Sequence, residues 1–406
     1  MASRTCAAVV VGAGPAGVAA VGNLLERQLG TIAWIDPTFE AGRVNRKYRE
    51  VPSLTDPQPS NTRVALFTAF ATATKPFQTV IDNTPKPNPF STLNKLDQDK
   101  PCHLHHAADM VRSLTDGLVK MEQVYACRGF VTAANLSKSP SSSSASQWTV
   151  RVKQHGSSDE LEINTSRLVL CTGSHPTNLP VPVPGLDIRH LDLDTVLKPS
   201  ELRTTLPTDS PSTVAVVGAS HSAILALLNL LSLAQSSHPH LRVRWFTRHP
   251  LRYAEYKDGW ILRDNTGLKG LAADFARSQL EDDKLATSTA GTVIRKIDCG
   301  GGPDKEQAQY EKNLPACSHI VQAVGFTRDP LPRLSRNEQV PITLEYDHET
   351  SRFHEPGSGD VVPGLYGAGI AFPERVVDPL GNVEYAVGFF KFMKYLKRVV
   401  PTWTAA

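Results

Sequence analysis

The chain writes one local pattern twice, and that repetition constrains its fold more than any other feature. Residues 8–25 read AVVVGAGPAGVAAVGNLL, residues 214–231 read VAVVGASHSAILALLNLL, and the two align without a gap. Gly12 falls on Gly218, Ala13 on Ala219, Asn23 on Asn229 and Leu24 on Leu230. Each segment is a β-branched run, a glycine turn and an apolar helix, and each precedes another strand-like run, at 31–35 and 243–246. A strand, a tight turn and a helix leading to a parallel strand make a βαβ opening. The fold class expected is α/β, with two Rossmann-like dinucleotide-binding domains. At 406 residues the chain has room for both.

The first turn carries the full dinucleotide fingerprint. Gly12, Gly14 and Gly17 form G-x-G-x-x-G between strand and helix, with Pro15 and Ala16 opening the helix. The first glycine permits the tight turn, the second lets a pyrophosphate approach the backbone, and the third lets helix and strand pack closely. The phosphates then meet free N–H groups at a helix N-terminus. Asp36 closes the next strand about 20 residues on, where a carboxylate holds ribose hydroxyls. A glycine-rich turn that binds nothing is the bland alternative.

The second turn is degenerate. Gly218 is kept, but Ser220 stands for the middle glycine and Ala223 for the third, with His221 and Ser222 between them. Trp34-Ile35-Asp36 corresponds to Trp245-Phe246-Thr247, followed by Arg248. Replacing a carboxylate by a neighbouring guanidinium favours a ribose 2′-phosphate, hence NADP(H) over NAD(H). Arg244 and His249 are possible helpers. The competing readings make Arg248 a solvated strand-end residue, or the whole second site vestigial.

Between these units, residues 37–101 read as an excursion with a short helix or two, and 106–120 as a helix. Three runs, at 124–136, 148–153 and 161–165, read as an antiparallel β-meander with a serine-rich, disordered loop at 137–147. Leu168 to Cys171 returns to the parallel sheet. Residues 181–213, broken by prolines and acids, look like a crossing. The expected division is an FAD-binding domain of residues 1–210 and 331–406, with residues 211–330 inserted as the nicotinamide domain. Leu365–Tyr366 would be its last strand and Val383–Arg398 its last helix.

Composition narrows the function classes. Forty-three basic and 40 acidic residues give a net charge of +3, no field for nucleic acid or membrane. No run approaches the roughly 18 apolar residues of a membrane span, and no targeting segment is visible. The six cysteines, Cys6, Cys102, Cys127, Cys171, Cys299 and Cys317, form no C-x-x-C pair and read as reduced thiols of a cytoplasmic protein.

Taken in order, these motifs resemble two-dinucleotide-domain flavoproteins, most of all the flavin-containing and N-hydroxylating monooxygenases and their pyridine-nucleotide oxidoreductase relatives. Gly12–Gly17 is similar to the family's FAD motif, and Gly218–Ala223 to its G-x-G-x-S-A nicotinamide turn. Leu170 to Pro176, LCTGSHP, resembles the A-T-G-x-x-P segment that leaves the FAD domain, placing Thr172 and Gly173 at the flavin. Ala323 to Phe326, AVGF, resembles the A-T-G-Y hinge by which the chain returns, and Gly364 to Gly369, GLYGAG, the closing flavin motif. There Ile370 replaces an aspartate. The monooxygenase F-x-G-x-x-x-H signature is absent; only Pro184-Gly185 and His190 are similar to it. Residues 42–53, GRVNRKYREVPS, sit where disulfide reductases carry redox cysteines before a V-P-S, and they hold none.

The resemblance implies bound FAD, reduced by NADPH, and either oxygen-dependent hydroxylation of a small organic molecule or direct electron transfer. It also places the N-terminus of the last helix, at Asn382 and Val383, near the flavin pyrimidine, where its partial positive charge stabilises reduced flavin. Arg46, Lys47 and Tyr48 are the catalytic candidates, set against plain surface roles. The H-x-H-H of His103, His105 and His106 reads as the polar start of a helix, with no metal expected. Asp378 reads as a turn former and Cys171 as a packed residue. Two other readings stand: an oxidase or dehydrogenase with a relic nicotinamide site, and a non-enzymatic dinucleotide-binding protein.

Overall fold

The computed structural model describes residues 3–51, 64–100, 102–138, 146–157 and 159–403. Residues 52 and 53 of the V-P-S and most of the serine-rich loop lie outside the described residues.

The β-branched runs become the parallel centre of a large sheet. Its path runs Ser3–Cys6, Glu160–Thr165, Ser146–Gln154, Val124–Lys138, Ile32–Asp36, Ala8–Val11, Leu168–Leu170, Val361–Gly367, Arg352–His354, Glu345–Tyr346. Strand Val124–Lys138 serves two purposes. Its first residues pair parallel with Ile32–Asp36; after Arg128 it pairs antiparallel with Ser146–Gln154, with a register shift between Val131 and Ala133. This is the expected meander, and one continuous strand welds it to the Rossmann sheet.

The second sheet is all parallel in the order Ile294–Asp298, Leu241–Thr247, Ser212–Val217, His319–Gln322, Arg189–His190. The repeat holds at this level. In each sheet the strand before the glycine turn lies between the strand after the helix and a later returning strand. The fold is therefore α/β with two Rossmann-like units, the second inserted into the first. The two passages between them run side by side, Ser174–Pro176 pairing antiparallel with Phe326–Arg328.

Residues 181–213 are more than a crossing: they carry strand Arg189–His190 and helices Leu193–Val196 and Pro199–Thr205. Leu191, Leu193, Val196, Leu197, Leu202 and Leu206 join the core around helix His221–Ser236. Strand Arg189–His190 and these helices thus pack with the second sheet although they precede residue 211, and the chain leaves that unit along strand Phe326–Arg328. The prolines and acids interrupt any periodic pattern, which hid these leucines in the sequence.

Among its described residues the excursion forms four short helices, Gly42–Arg46, Val64–Ala71, Lys75–Asn83 and Pro89–Lys95, where one or two were expected. Phe70, Phe77, Phe90 and Leu93 are buried with helix Leu104–Leu118 and with the last helix in one core. The last helix spans Phe389–Trp403, not Val383–Arg398. Residues Glu374–Val377 and Val383–Ala386 form an antiparallel hairpin instead. β-Branched and aromatic residues favour strands, and Gly388, at φ +148°, separates hairpin from helix.

Among the described residues, no helix is long and apolar enough to cross a membrane.

Candidate flavin and nicotinamide sites

Both glycine turns are built on the same brace. Gly12 lies at φ +104° and Gly218 at φ +125°, angles that side chains rarely adopt. A Cβ at Gly12 would overlap the Cys171 carbonyl oxygen, and one at Gly218 the Ala323 carbonyl oxygen. In each unit a buried tryptophan from the following strand donates its indole N–H to the first glycine: Trp34 to the Gly12 carbonyl at 2.9 Å, Trp245 to the Gly218 carbonyl at 2.7 Å. The aligned asparagines also act alike, reaching across to a neighbouring element. Asn23 Nδ2 donates to Met393 Sδ at 3.2 Å, and Asn229 Nδ2 to the Val196 carbonyl at 3.0 Å.

The turns differ where a ligand would lie. A Cβ at Gly17 would overlap the Gly12 carbonyl oxygen, so helix Pro15–Glu26 presses close to its own turn. The second helix carries Ala223, fully buried, at the matching position. Gly14 has φ −75° and ψ 179°, and Ser220 has φ −74° and ψ 172°. Any residue adopts those angles, and a Cβ at Gly14 would meet nothing within 4 Å. Neither backbone conformation nor protein packing requires glycine at 14; open space remains on that side. At Ser220 the hydroxyl turns inward and donates to the Ala323 carbonyl at 3.2 Å.

The other first-turn candidates gather there. Asp36 is buried; its Oδ2 accepts from the Ala13 N–H at 2.7 Å, and its Oδ1 from the N–H groups of Thr38 (2.8 Å) and Phe39 (2.7 Å). A carboxylate offers about four lone-pair sites, so it both fixes the turn and keeps capacity for a hydroxyl. Beside it opens a hollow of about 380 Å³, lined by Thr38, Glu40, Arg112, Asp116, Ala126 and Arg128 among others. Sequence reasoning missed this hollow, because Arg128 reaches Asp36 only through strand pairing. A Cβ at Gly369 would stand 2.6 Å from the Ala16 Cβ, so the closing motif packs on the helix start. Thr172 follows strand Leu168–Leu170, and its hydroxyl is buried with no hydrogen-bond partner among the described residues. Gly173, at φ +86°, is next to Asp329, whose Oδ1 lies 2.6 Å from His175 Nδ1.

These residues fit an adenine dinucleotide. The helix start has no side-chain cap, leaving its N–H groups for an anion. The space beside Gly14, the orphan Thr172 hydroxyl and the hollow past Asp36 each lack a protein partner. Ile370 supplies no carboxylate and is exposed. Asn382 and Val383 do not join the site. They sit in the hairpin, where Asp378 accepts from the Asn382 N–H at 2.9 Å and from its side chain at 2.8 Å. Asp378 is thus the turn former, and the helix start lies at Gly388–Phe389.

At the second turn, helix His221–Ser236 is likewise uncapped. His221 Nδ1 is buried without a partner, and burial, with Lys269 nearby, lowers its imidazole pKa to about 4. Ser222 follows it on the first helical turn. Arg248 ends the strand exposed, its Nε 3.4 Å from Glu306 Oε1. Arg244 is taken up structurally by the Asn313 carbonyl, which removes it as a helper. His249 is exposed, and its carbonyl accepts from Thr247.

Of the catalytic candidates, Tyr48 is structural. Its hydroxyl donates to Asp194 at 2.9 Å, and Arg43 pairs with the same carboxylate. Burial raises the Tyr48 pKa and, despite Arg43, that of Asp194. The triad ties the excursion to helix Leu193–Val196 of the second unit. Arg46 and Lys47 instead line a separate hollow of about 610 Å³. All six cysteines are free, and burial pushes Cys171 up to about 12, so no thiolate or dithiol serves the site. Among the described residues no cluster of metal-ligating side chains forms, and His103 precedes helix Leu104–Leu118 as its N-cap.

Two linked Rossmann units with paired glycine turns define a two-dinucleotide-domain flavoprotein oxidoreductase. Residues 7–235 match the pyridine nucleotide-disulphide oxidoreductase family, and the chain belongs to it. It is 65% identical over 406 residues, all of both chains, to the monooxygenase AgnR1 of Paecilomyces divaricatus. Its fold is similar to that of the cyclohexanone monooxygenase from Rhodococcus sp. Phi1 bound to NADP+, at a TM-score of 0.53 and 11% identity, covering 99% of this chain and 85% of that one.

Proposed function

We propose that the chain is an FAD-dependent monooxygenase that oxidises NADPH and hydroxylates or otherwise oxygenates a small organic molecule. Gly12, Gly14, Pro15, Ala16, Gly17, Asp36, Thr172, Gly173 and Gly369 hold FAD. Gly218, Ser220, His221, Ser222 and Arg248 hold NADP(H), and the helix start at Gly388–Phe389 takes the role expected of Asn382 and Val383. Bound FAD would supply the chemistry that passes two electrons from NADPH to dioxygen, one oxygen atom going to substrate and the other to water. The chain's own residues bind and orient. Its two helix starts carry no side-chain cap and so offer their N–H groups to anions. The free and mostly buried thiols suit a cytoplasmic enzyme.

The observation that carries this reading is the space at Gly14: a glycine kept where neither backbone nor packing needs one. Gly14→Ala should leave the melting temperature of the FAD-free protein within a few degrees of the parent's and weaken FAD binding at least about tenfold, since a methyl group then meets mainly the ligand. A variant that melts far below the parent without FAD yet still binds FAD as tightly contradicts the assignment. The 65% identity to a monooxygenase favours oxygenation over reduction of another acceptor. NADPH-dependent oxygen uptake separates it from an oxidase, which consumes oxygen with substrate alone.

A further inference from the structure

The hollow of about 610 Å³ lies at the seam of the two units and belongs to neither nucleotide turn. Its size suits a small molecule. One wall is the end of helix Gly42–Arg46, whose start touches the first turn: a Cβ at Gly42 would stand 3.0 Å from the Gly14 Cα. Arg46 is about one helical turn, roughly 6 Å along the helix axis, from Gly42, which touches the turn assigned to FAD. The opposite wall is Lys198, two residues past helix Leu193–Val196, which the Arg43–Asp194–Tyr48 triad holds in place.

The lining is one-sidedly cationic: Arg46, Lys47, Arg49 and Lys198 against the carboxylate of Glu50. Three of these five are committed elsewhere. Arg49 forks onto Asp109 at 2.6 and 3.2 Å, Lys198 pairs with Glu201 at 2.6 Å, and Glu50 accepts from the Ser200 N–H at 3.0 Å. Arg46 and Lys47 make no ion pair or side-chain hydrogen bond among the described residues. His105 adds a ring that burial and His106 hold below the ordinary histidine pKa, so it hydrogen-bonds without adding charge at neutral pH. Two cations without a direct ion pair in a concavity, Lys47 acting only through the longer-range field it shares with Asp194 and Glu201, attract an oxyanion and repel an alkylammonium.

We infer that this hollow is the substrate pocket of the flavin site, and that it takes a small organic oxyanion, a carboxylate or phenolate, gripped by Arg46 and Lys47. The inference rests on the first turn holding flavin. It excludes amines as substrates, since an ammonium would enter among like charges.

The test is calorimetry on the full-length protein, loaded with FAD, using four ring compounds of matched size: benzoate, para-nitrophenolate, benzamide and benzylamine. Benzoate, para-nitrophenolate or both should bind at least about tenfold more tightly than benzamide, with benzylamine weakest; which oxyanion wins separates the two classes. The double variant Arg46→Gln, Lys47→Gln, with unchanged melting temperature and flavin content, should lose that preference. Equal binding of benzamide, preference for benzylamine, no oxyanion binding, or a preference that survives the double variant overturns the inference. Inorganic sulfate competing as strongly as benzoate also overturns it, as a bare anion site. Calorimetry reads anion binding with or without flavin. Oxyanion selectivity in a protein that holds no flavin would sink the functional reading and leave the hollow an oxyanion site but no longer a flavin enzyme's substrate pocket, whereas flavin bleached by NADPH without selectivity would sink this inference alone.

Discussion

Gly14 and Ser220 hold nearly identical backbone angles, φ −75°, ψ 179° against φ −74°, ψ 172°, in turns braced by the same tryptophan and the same first glycine. The brace at the first position of the two turns is shared. What differs is the ligand side: open space, a close helix and a buried Asp36 in the first, against a serine, Ala223 and exposed Arg248 in the second. Fold-keeping and ligand-keeping residues can thus be told apart within one chain, because the duplication holds the first set constant. A glycine matched by glycine serves the backbone; a glycine matched by another residue serves that unit's own packing or its ligand.

The contrast can be broken most forcefully at the third position. Gly17→Ala pushes a methyl into the Gly12 carbonyl oxygen and should cost about 1–3 kcal/mol or more, with loss of bound flavin. The mirror change, Ala223→Gly, should cost only about 1 kcal/mol in helix propensity. Thermal melts of the two variants check this; equal losses would mean that the helices stand equally close to their turns.

Next in size is an acid sensitivity confined to the second turn. His221 titrates near 4 when folded, against an ordinary 6.5. The unfolded chain then binds more protons between those values, so stability falls as pH drops from about 6.5 towards 4 and is insensitive to this group above that window. At about pH 5 the loss is on the order of 2 kcal/mol. Denaturant titrations of His221→Gln should show that much less pH dependence over this interval; an unchanged slope refutes the buried, neutral imidazole.

The smallest effect sharpens cofactor choice. Arg248→Ala should raise the KM for NADPH about tenfold and leave that for NADH unchanged, because only the former presents a 2′-phosphate to the guanidinium. Steady-state kinetics with both cofactors decides it. Equal changes would make Arg248 a partner of Glu306 and nothing more.

How much was legible followed how local the signal was. The paired turns, Asp36, the meander and helix Leu104–Leu118 could be read because each rests on a few adjacent residues with a fixed period. Val383–Ala386 misled because it runs straight into a helical pattern, and pairing with Glu374–Val377 decided its state. Leu191 to Leu206 were obscured by prolines, though together they cover one face of helix His221–Ser236. The Arg43–Asp194–Tyr48 triad and the cationic hollow join residues far apart in the chain, and no spacing rule points to such partners.

The account stands or falls on two turns with two different dinucleotides, one passing electrons to the other. An anaerobic absorbance titration of the purified protein with NADPH reads that directly. A yellow protein whose flavin bands bleach with NADPH and return on admitting air is the result required. Protein that takes up no FAD, or holds it and stays yellow with NADPH and NADH alike, would contradict it.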